Sequence, residues 1–178
     1  MGFFASVEGT ATIRAQARAF VAAFVRRIET GLLPHAPRWR CQYRVTREGV
    51  DGLRFRAADW WTALNVGLND VELAVAPDGR VHYAIRYRRW ASYALALCGV
   101  FGVIFITVFL TFDIRDYIVR HPRSSIPGLS TEQNVAIGWV MALFWGFAWP
   151  WILIALHKRP LRRLMDQIVA EVDAAAMK

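Results

Sequence analysis

Two stretches of the chain differ from the rest in carrying no formally charged side chain. They are residues 91–112 and 135–156, each 22 residues long. A helix rises 1.5 Å per residue, so about 20 residues cross a hydrocarbon core of about 30 Å. A buried helix of a soluble protein seldom stays uncharged over such a length. Two of them in one short chain are therefore expected to be transmembrane. Trp90 and Tyr93 open the first run and Trp149 and Trp151 close the second, where aromatic belts meet a bilayer surface. Between the runs, Ser130-Thr131-Glu132-Gln133 reads as a capping box that starts the second helix, and nothing breaks the first helix until His121-Pro122.

Upstream the periodicity changes twice. Ile13, Ala17, Phe20, Phe24, Ile28 and Leu32 form a helical stripe, with Thr10 or Thr12 available as the cap and Gly31 and Pro34 as the stop. Next, Trp39, Cys41, Tyr43 and Val45 alternate with Arg40, Gln42, Arg44 and Thr46. Beyond a turn near Gly49 and Gly52, Leu53, Phe55 and Ala57 alternate with Arg54 and Arg56. That is the pattern of a hairpin with one apolar and one arginine-rich face. Leu64, Val66 and Leu68 then alternate in one phase and Val71, Leu73 and Val75 in the other, so a second strand pair is expected with Asn69-Asp70 at a bulge or tight turn. Pro77-Asp78-Gly79 turns the chain into Val81, Tyr83, Ile85 and Tyr87. This strand meets Arg88-Arg89-Trp90 with almost no linker, which is expected to hold the sheet close to the membrane. After the second apolar run, Pro160 opens a helix with Leu161, Leu164, Met165, Ile168, Val169 and Val172 on one face. That face can pack on the sheet, lie in the interface or dimerise.

The predicted fold class is thus a membrane protein of α+β type. A cytoplasmic domain (residues 1–90) of one helix and a four-stranded antiparallel sheet precedes a two-helix transmembrane hairpin (91–112 and 135–156). An extracytoplasmic loop (113–134) joins the two spans, and a cytoplasmic amphipathic helix (157–178) ends the chain.

Charge sets the expected orientation and partners. The formal net charge is +8, and Lys158 and Lys178 are the only lysines, so arginine dominates. Its planar fork suits phosphate, although a GC-rich genome produces the same bias. Arg86, Arg88, Arg89, Lys158, Arg159, Arg162 and Arg163 flank the ends of the hairpin, against Arg115, Arg120 and Arg123 in the connection. The positive-inside rule then puts both ends of the hairpin in the cytoplasm, with a bacterial inner membrane as the expected location. The first residues show no charged leader followed by an apolar run, so the N-terminus is expected to stay where it is made. Basic residues in the first turn of the last helix oppose its dipole, which suits headgroups better than helix stability.

The candidate lipid- or partner-binding residues are Arg40, Arg44, Arg54, Arg56 and Arg86 on the outer sheet face, together with Arg88, Arg89, Arg159, Arg162 and Arg163. The aromatics fall on the opposite face of the sheet, which argues against RNA and leaves no nucleic-acid partner expected. Candidate helix-packing residues are Ala94, Cys98 and Gly102 in the first span and Gly138, Ala142 and Gly146 in the second, because small residues at four-residue spacing let backbones approach. Neither span holds an acid, base or imidazole, contrary to the needs of a pump.

No zinc spacing, phosphate-cradling loop or nucleophile elbow occurs, so neither metal nor cofactor is expected. Asp59 beside Trp60 and Trp61 is the most unusual cluster, read first as a turn carboxylate capping a strand or short helix beside core tryptophans. The expected function is a membrane-tethered, non-enzymatic interaction or accessory subunit whose partners are membrane lipids and a protein or a second copy. The alternative is a homo-oligomeric pore or membrane effector gated by the cytoplasmic domain.

Overall fold

The computed structural model describes residues 5–33, 37 and 41–178. Its strands are β1 (Ser6–Thr12), β2 (Tyr43–Glu48), β3 (Gly52–Ala57), β4 (Asp70–Val75) and β5 (Arg80–Arg86). Its helices are α1 (Ala17–Thr30), α2 (Trp60–Val66), α3 (Arg88–Thr111), α4 (Ile114–Arg120), α5 (Thr131–Leu143), α6 (Trp149–Leu156) and α7 (Lys158–Ala176). They form two compact units, Met1–Ser92 with Ala155–Lys178, and Tyr93–Ile154.

In the first unit the strands make one antiparallel sheet in the order β1-β5-β4-β3-β2. Alternation sends Leu53, Phe55, Val71, Leu73, Val81, Tyr83 and Ile85 to one buried face. Phe24 of α1 meets Phe55 there at a ring distance of 5.8 Å. The apolar stripe of α7 also packs on the domain, with Leu161, Met165, Ile168, Val169 and Val172 buried and α1 and β1 as its neighbours. Buried Asp173 fixes the end of that helix, accepting from the backbone N–H groups of Arg14 at 3.0 Å and Ala15 at 2.9 Å.

The sheet has five strands, not the expected four. The additional one is β1, whose sequence Ser-Val-Glu-Gly-Thr-Ala-Thr offers no run of large apolar residues. Its smallness has a use. Gly9 lies opposite Tyr83 in register, and a Cβ there would run into the Tyr83 ring. The ring passes over Gly9 so that its hydroxyl donates to Asp166 Oδ1 on α7 at 2.5 Å. The first helix accordingly starts at Ala17, since Thr10 and Thr12 belong to β1. The expected strand at Leu64, Val66 and Leu68 is another correction, because residues 60–66 are helical. Asp59 Oδ1 accepts from the Thr62 N–H at 2.7 Å, and Gly67 ends the helix at φ +88°. Asp59 is therefore a cap, as expected, but Trp60 and Trp61 are exposed and not part of a core. The beginning of the expected first strand, at Trp39 and Arg40, lies outside the described residues.

In the second unit α3 ends at Thr111 and α4 is a separate helix, capped by Asp113, whose side chain accepts from the Asp116 N–H at 2.9 Å. The expected continuous extension through Val119 is thus broken at Asp113. The capping box at Ser130 and Gln133 forms as read. Residues 144–148 make a π-turn immediately before Pro150, whose missing N–H and bulky ring disfavour a regular turn there. Two continuous helical stretches, Arg88–Thr111 and Thr131–Ala176, are long and apolar enough to cross a membrane.

Gly9→Ala should force Tyr83 off Asp166 and cost about 1–3 kcal/mol, the usual range for an overpacked site. A thermal melt of the full-length protein in mild detergent checks this; an unchanged midpoint would show that the ring has room.

Candidate functional site

The face of the sheet opposite α1 and α7 carries the charges. Across it runs one register row in which Arg44 stands opposite Arg56, Arg56 opposite Asp70, Asp70 opposite Arg86, and Arg86 opposite Ser6. In the next row Arg47 faces Arg54 and Arg54 faces Glu72. Arg47 reaches this face because the register shifts between Val45 and Arg47. Strict alternation along the strand had no means of finding it. Arg40 lies outside the described residues.

Two carboxylates on β4 divide these arginines into two groups. Arg54 grips Asp70 with both prongs, Nε to Oδ1 at 3.0 Å and Nη2 to Oδ2 at 2.7 Å. Arg86 lies 3.7 Å from Asp70 and 3.8 Å from Glu72. The Arg54 hydrogen bonds, together with the nearby guanidinium charges, hold the Asp70 carboxyl below the usual carboxylate range despite its partial burial. Arg44, Arg47 and Arg56 are exposed and, among the described residues, have no carboxylate within ion-pair distance. Like charges directly opposite in a sheet repel, at a cost of roughly 0.2–1 kcal/mol per pair. Arg44 against Arg56 bears that cost, whereas the charge of Arg54 opposite Arg47 is met by Asp70.

This charged row lies at the end of the sheet where the chain enters α3. Arg86 ends β5 and Arg88 begins α3. Asn69, just before β4, joins the parts: its Oδ1 accepts from the N–H groups of Arg89 at 2.7 Å and Trp90 at 3.2 Å, and its Nδ2 donates to the Ala63 carbonyl at 2.7 Å. The first amides of α3, orphaned in any helix, thereby gain an acceptor. Arg88 and Arg89 are exposed in that first turn, and Arg159, Arg162 and Arg163 in the first turns of α7.

His157 belongs to the same end. Its ring stacks on Trp90 at 3.9 Å with 5° between planes and meets the Tyr87 edge at 5.6 Å. Its Nε2 lies 3.0 Å from the Val66 carbonyl, to which a protonated Nε2 donates. Gly67 is needed beside it, since a Cβ there would stand 2.7 Å from Nε2 and the backbone is left-handed. Sequence spacing gives no hint of this cluster, whose members come from three separate segments.

The small-residue seam comes together within one hairpin. Gly102 and Gly146 face each other so closely that a Cβ on Gly102 would stand 2.8 Å from the Gly146 Cα. The Cys98 carbonyl lies 3.7 Å from a Cβ built on Gly146, and the Phe109 ring covers Gly138. Ala94 and Ala142 are buried.

A cleft of about 750 Å³ between α1, α2 and α7 is lined by Leu32, Leu33, Val66, Leu164 and Ile168. Its charged members among the described residues, Arg27 and Glu171, bind each other at 2.7 Å. No cluster of three metal-ligating side chains occurs among the described residues.

Burial places the His157 imidazole below its ordinary range, opposed in part by the Val66 carbonyl. The unfolded chain therefore takes up this proton more readily than the folded one. The stability it contributes is fully present above the unfolded value near 6.5 and is lost as pH falls toward the lower folded value. Melts in detergent should show a midpoint that declines below about pH 6.5, with a smaller decline in His157→Gln. Equal declines in the two proteins would remove the assignment. Compared with protein-family models, curated proteins and solved structures, the chain matches none.

Proposed function

We propose that the protein is a membrane-tethered, non-enzymatic interaction subunit that holds anionic lipid headgroups, and through them or beside them a protein partner, against the open face of its sheet. In this reading the two apolar helices cross the bilayer as a hairpin with residues 1–90 and 157–178 on the cytoplasmic side. The observation that carries it is the row Arg44–Arg56–Asp70–Arg86, in which two arginines that have, among the described residues, no carboxylate within ion-pair distance share a sheet end with the first residues of α3. Adjacent strands are about 4.8 Å apart, so the row spans about 14 Å from Arg44 to Arg86. Charges held that near a bilayer lie within about a Debye length of its phosphates, where each basic residue contributes on the order of 1 kcal/mol. Arginine also offers two parallel donors to a phosphate, which lysine does not.

The oligomeric-pore reading draws no comparable support. An oligomer built through the small-residue seams needs them open to a second copy, and Gly102 and Gly146 are occupied with each other inside one chain.

Native mass spectrometry of the full-length protein with added phosphatidylglycerol or phosphatidylcholine tests the proposal. Replacing Arg44, Arg47 and Arg56 together by Gln should reduce phosphatidylglycerol adducts about tenfold or more at low salt and leave phosphatidylcholine adducts unchanged. The control is Arg18→Gln on α1. Undiminished phosphatidylglycerol binding in the triple variant would discard the lipid role.

A further inference from the structure

We infer that Trp60 and Trp61 are seated in the headgroup layer of the same leaflet that α3 enters, so that α2 is a third attachment of the domain to lipid. The inference rests on the membrane reading above and adds a specific contact to it.

The two indoles are adjacent and exposed, Trp60 by 50% and Trp61 by 63%. A tryptophan carries a large apolar area, about 150–250 Å² when buried, together with one N–H that needs a partner. Such a group fits poorly in water and poorly in pure hydrocarbon. It fits the boundary between them, where tryptophan is enriched. Neighbours on a helix point about 100° apart, so the pair cannot be covered together by one narrow contact within the domain.

The position of α2 selects the occupant. Its Ala63 carbonyl is bonded to Asn69, whose other end caps α3 at Arg89 and Trp90. Its Val66 carbonyl is bonded to His157, the residue directly after α6. The short helix is thus tied to both places where the chain passes into an uncharged helix. Thr62 holds it from a third side, its Oγ1 accepting from the Gln42 N–H at 3.1 Å. Seven residues of helix measure about 10 Å, so the indoles stay within about that distance of Val66 along the axis. Arg88, Arg89, Lys158 and Arg159 belong to the same end of the domain. Indoles that share one end of a domain with basic side chains match the composition of a cytoplasmic membrane surface. A protein partner would also accept tryptophan and arginine, but nothing would then require α2 to be tied at the two crossing points.

The test uses the full chain in phosphatidylcholine–phosphatidylglycerol liposomes, with Cys41 and Cys98 replaced by Ala and single spin labels introduced through Trp61→Cys, Val103→Cys or Val50→Cys. Val103 is exposed on α3 and Val50 is exposed in the β2–β3 turn. The ratio of oxygen to nickel-chelate accessibility should be several-fold higher at 61 than at 50 and lower than at 103. Trp60→Cys, which leaves Trp61 in place, should repeat the result. A water-like ratio at 61 and 60, with a lipid-like ratio at 103, overturns the inference and leaves the membrane reading intact. A water-like ratio at 103 as well overturns both. Low access of both reagents at 61 and 60 shows cover by a second copy of the chain and also overturns it.

Discussion

A helix that begins inside a protein must find acceptors for its first amides, and in this chain a single carboxamide does so for α3. Asn69 accepts from Arg89 and Trp90 with its oxygen while its nitrogen donates to Ala63. It is 7% exposed, so both ends of the side chain must be satisfied by protein, and both are. This bond fixes where α3 leaves the sheet, and through Ala63 it fixes α2 at the same place. His157 completes the joint by reaching the end of α2 while stacking on Trp90. The entry of one apolar helix, the exit of the other and the end of the sheet are thereby held in one small cluster without any long linker.

The charges follow from that geometry. Because β4 and β5 begin and end at the joint, Asp70 and Arg86 occupy the same end row of the sheet, and register carries Arg56 and Arg44 into it. Asp70 and Glu72 form ion pairs with Arg54 and Arg86, while Arg44, Arg47 and Arg56 have, among the described residues, no carboxylate within ion-pair distance. The result is graded: a matched centre and an unmatched margin. A sheet whose face were only basic would repel itself, and one fully paired would have little to offer an anion.

Much of this was legible from residue patterns, and the parts that were not have physical reasons. The long uncharged runs, the stripe of α7 and the alternation in β3, β4 and β5 are written in large apolar residues, so their periods are clear. In β1 the inward positions are Val7, Gly9 and Ala11, with the Tyr83 ring in the space above Gly9, and a strand that lends its volume to a neighbour leaves a weak pattern. Leu64, Val66 and Leu68 mimic a strand by chance of spacing, whereas the decisive signals were the Asp59 cap and the left-handed Gly67. Arg47 was hidden by a bulge that changes the phase of alternation. The pairing of Arg54 and Arg86 with β4 depends on strand order, which no local pattern encodes. Of the candidate site, then, the residue types were visible and their partners were not.

In the proposed architecture lipid solvates the two uncharged helices. Fractionation of cells expressing the full-length chain, followed by an alkaline carbonate wash of the membranes, measures it directly. The protein should stay in the washed membrane pellet and be released only by detergent. Recovery of the folded chain in the high-speed supernatant without detergent would contradict that architecture.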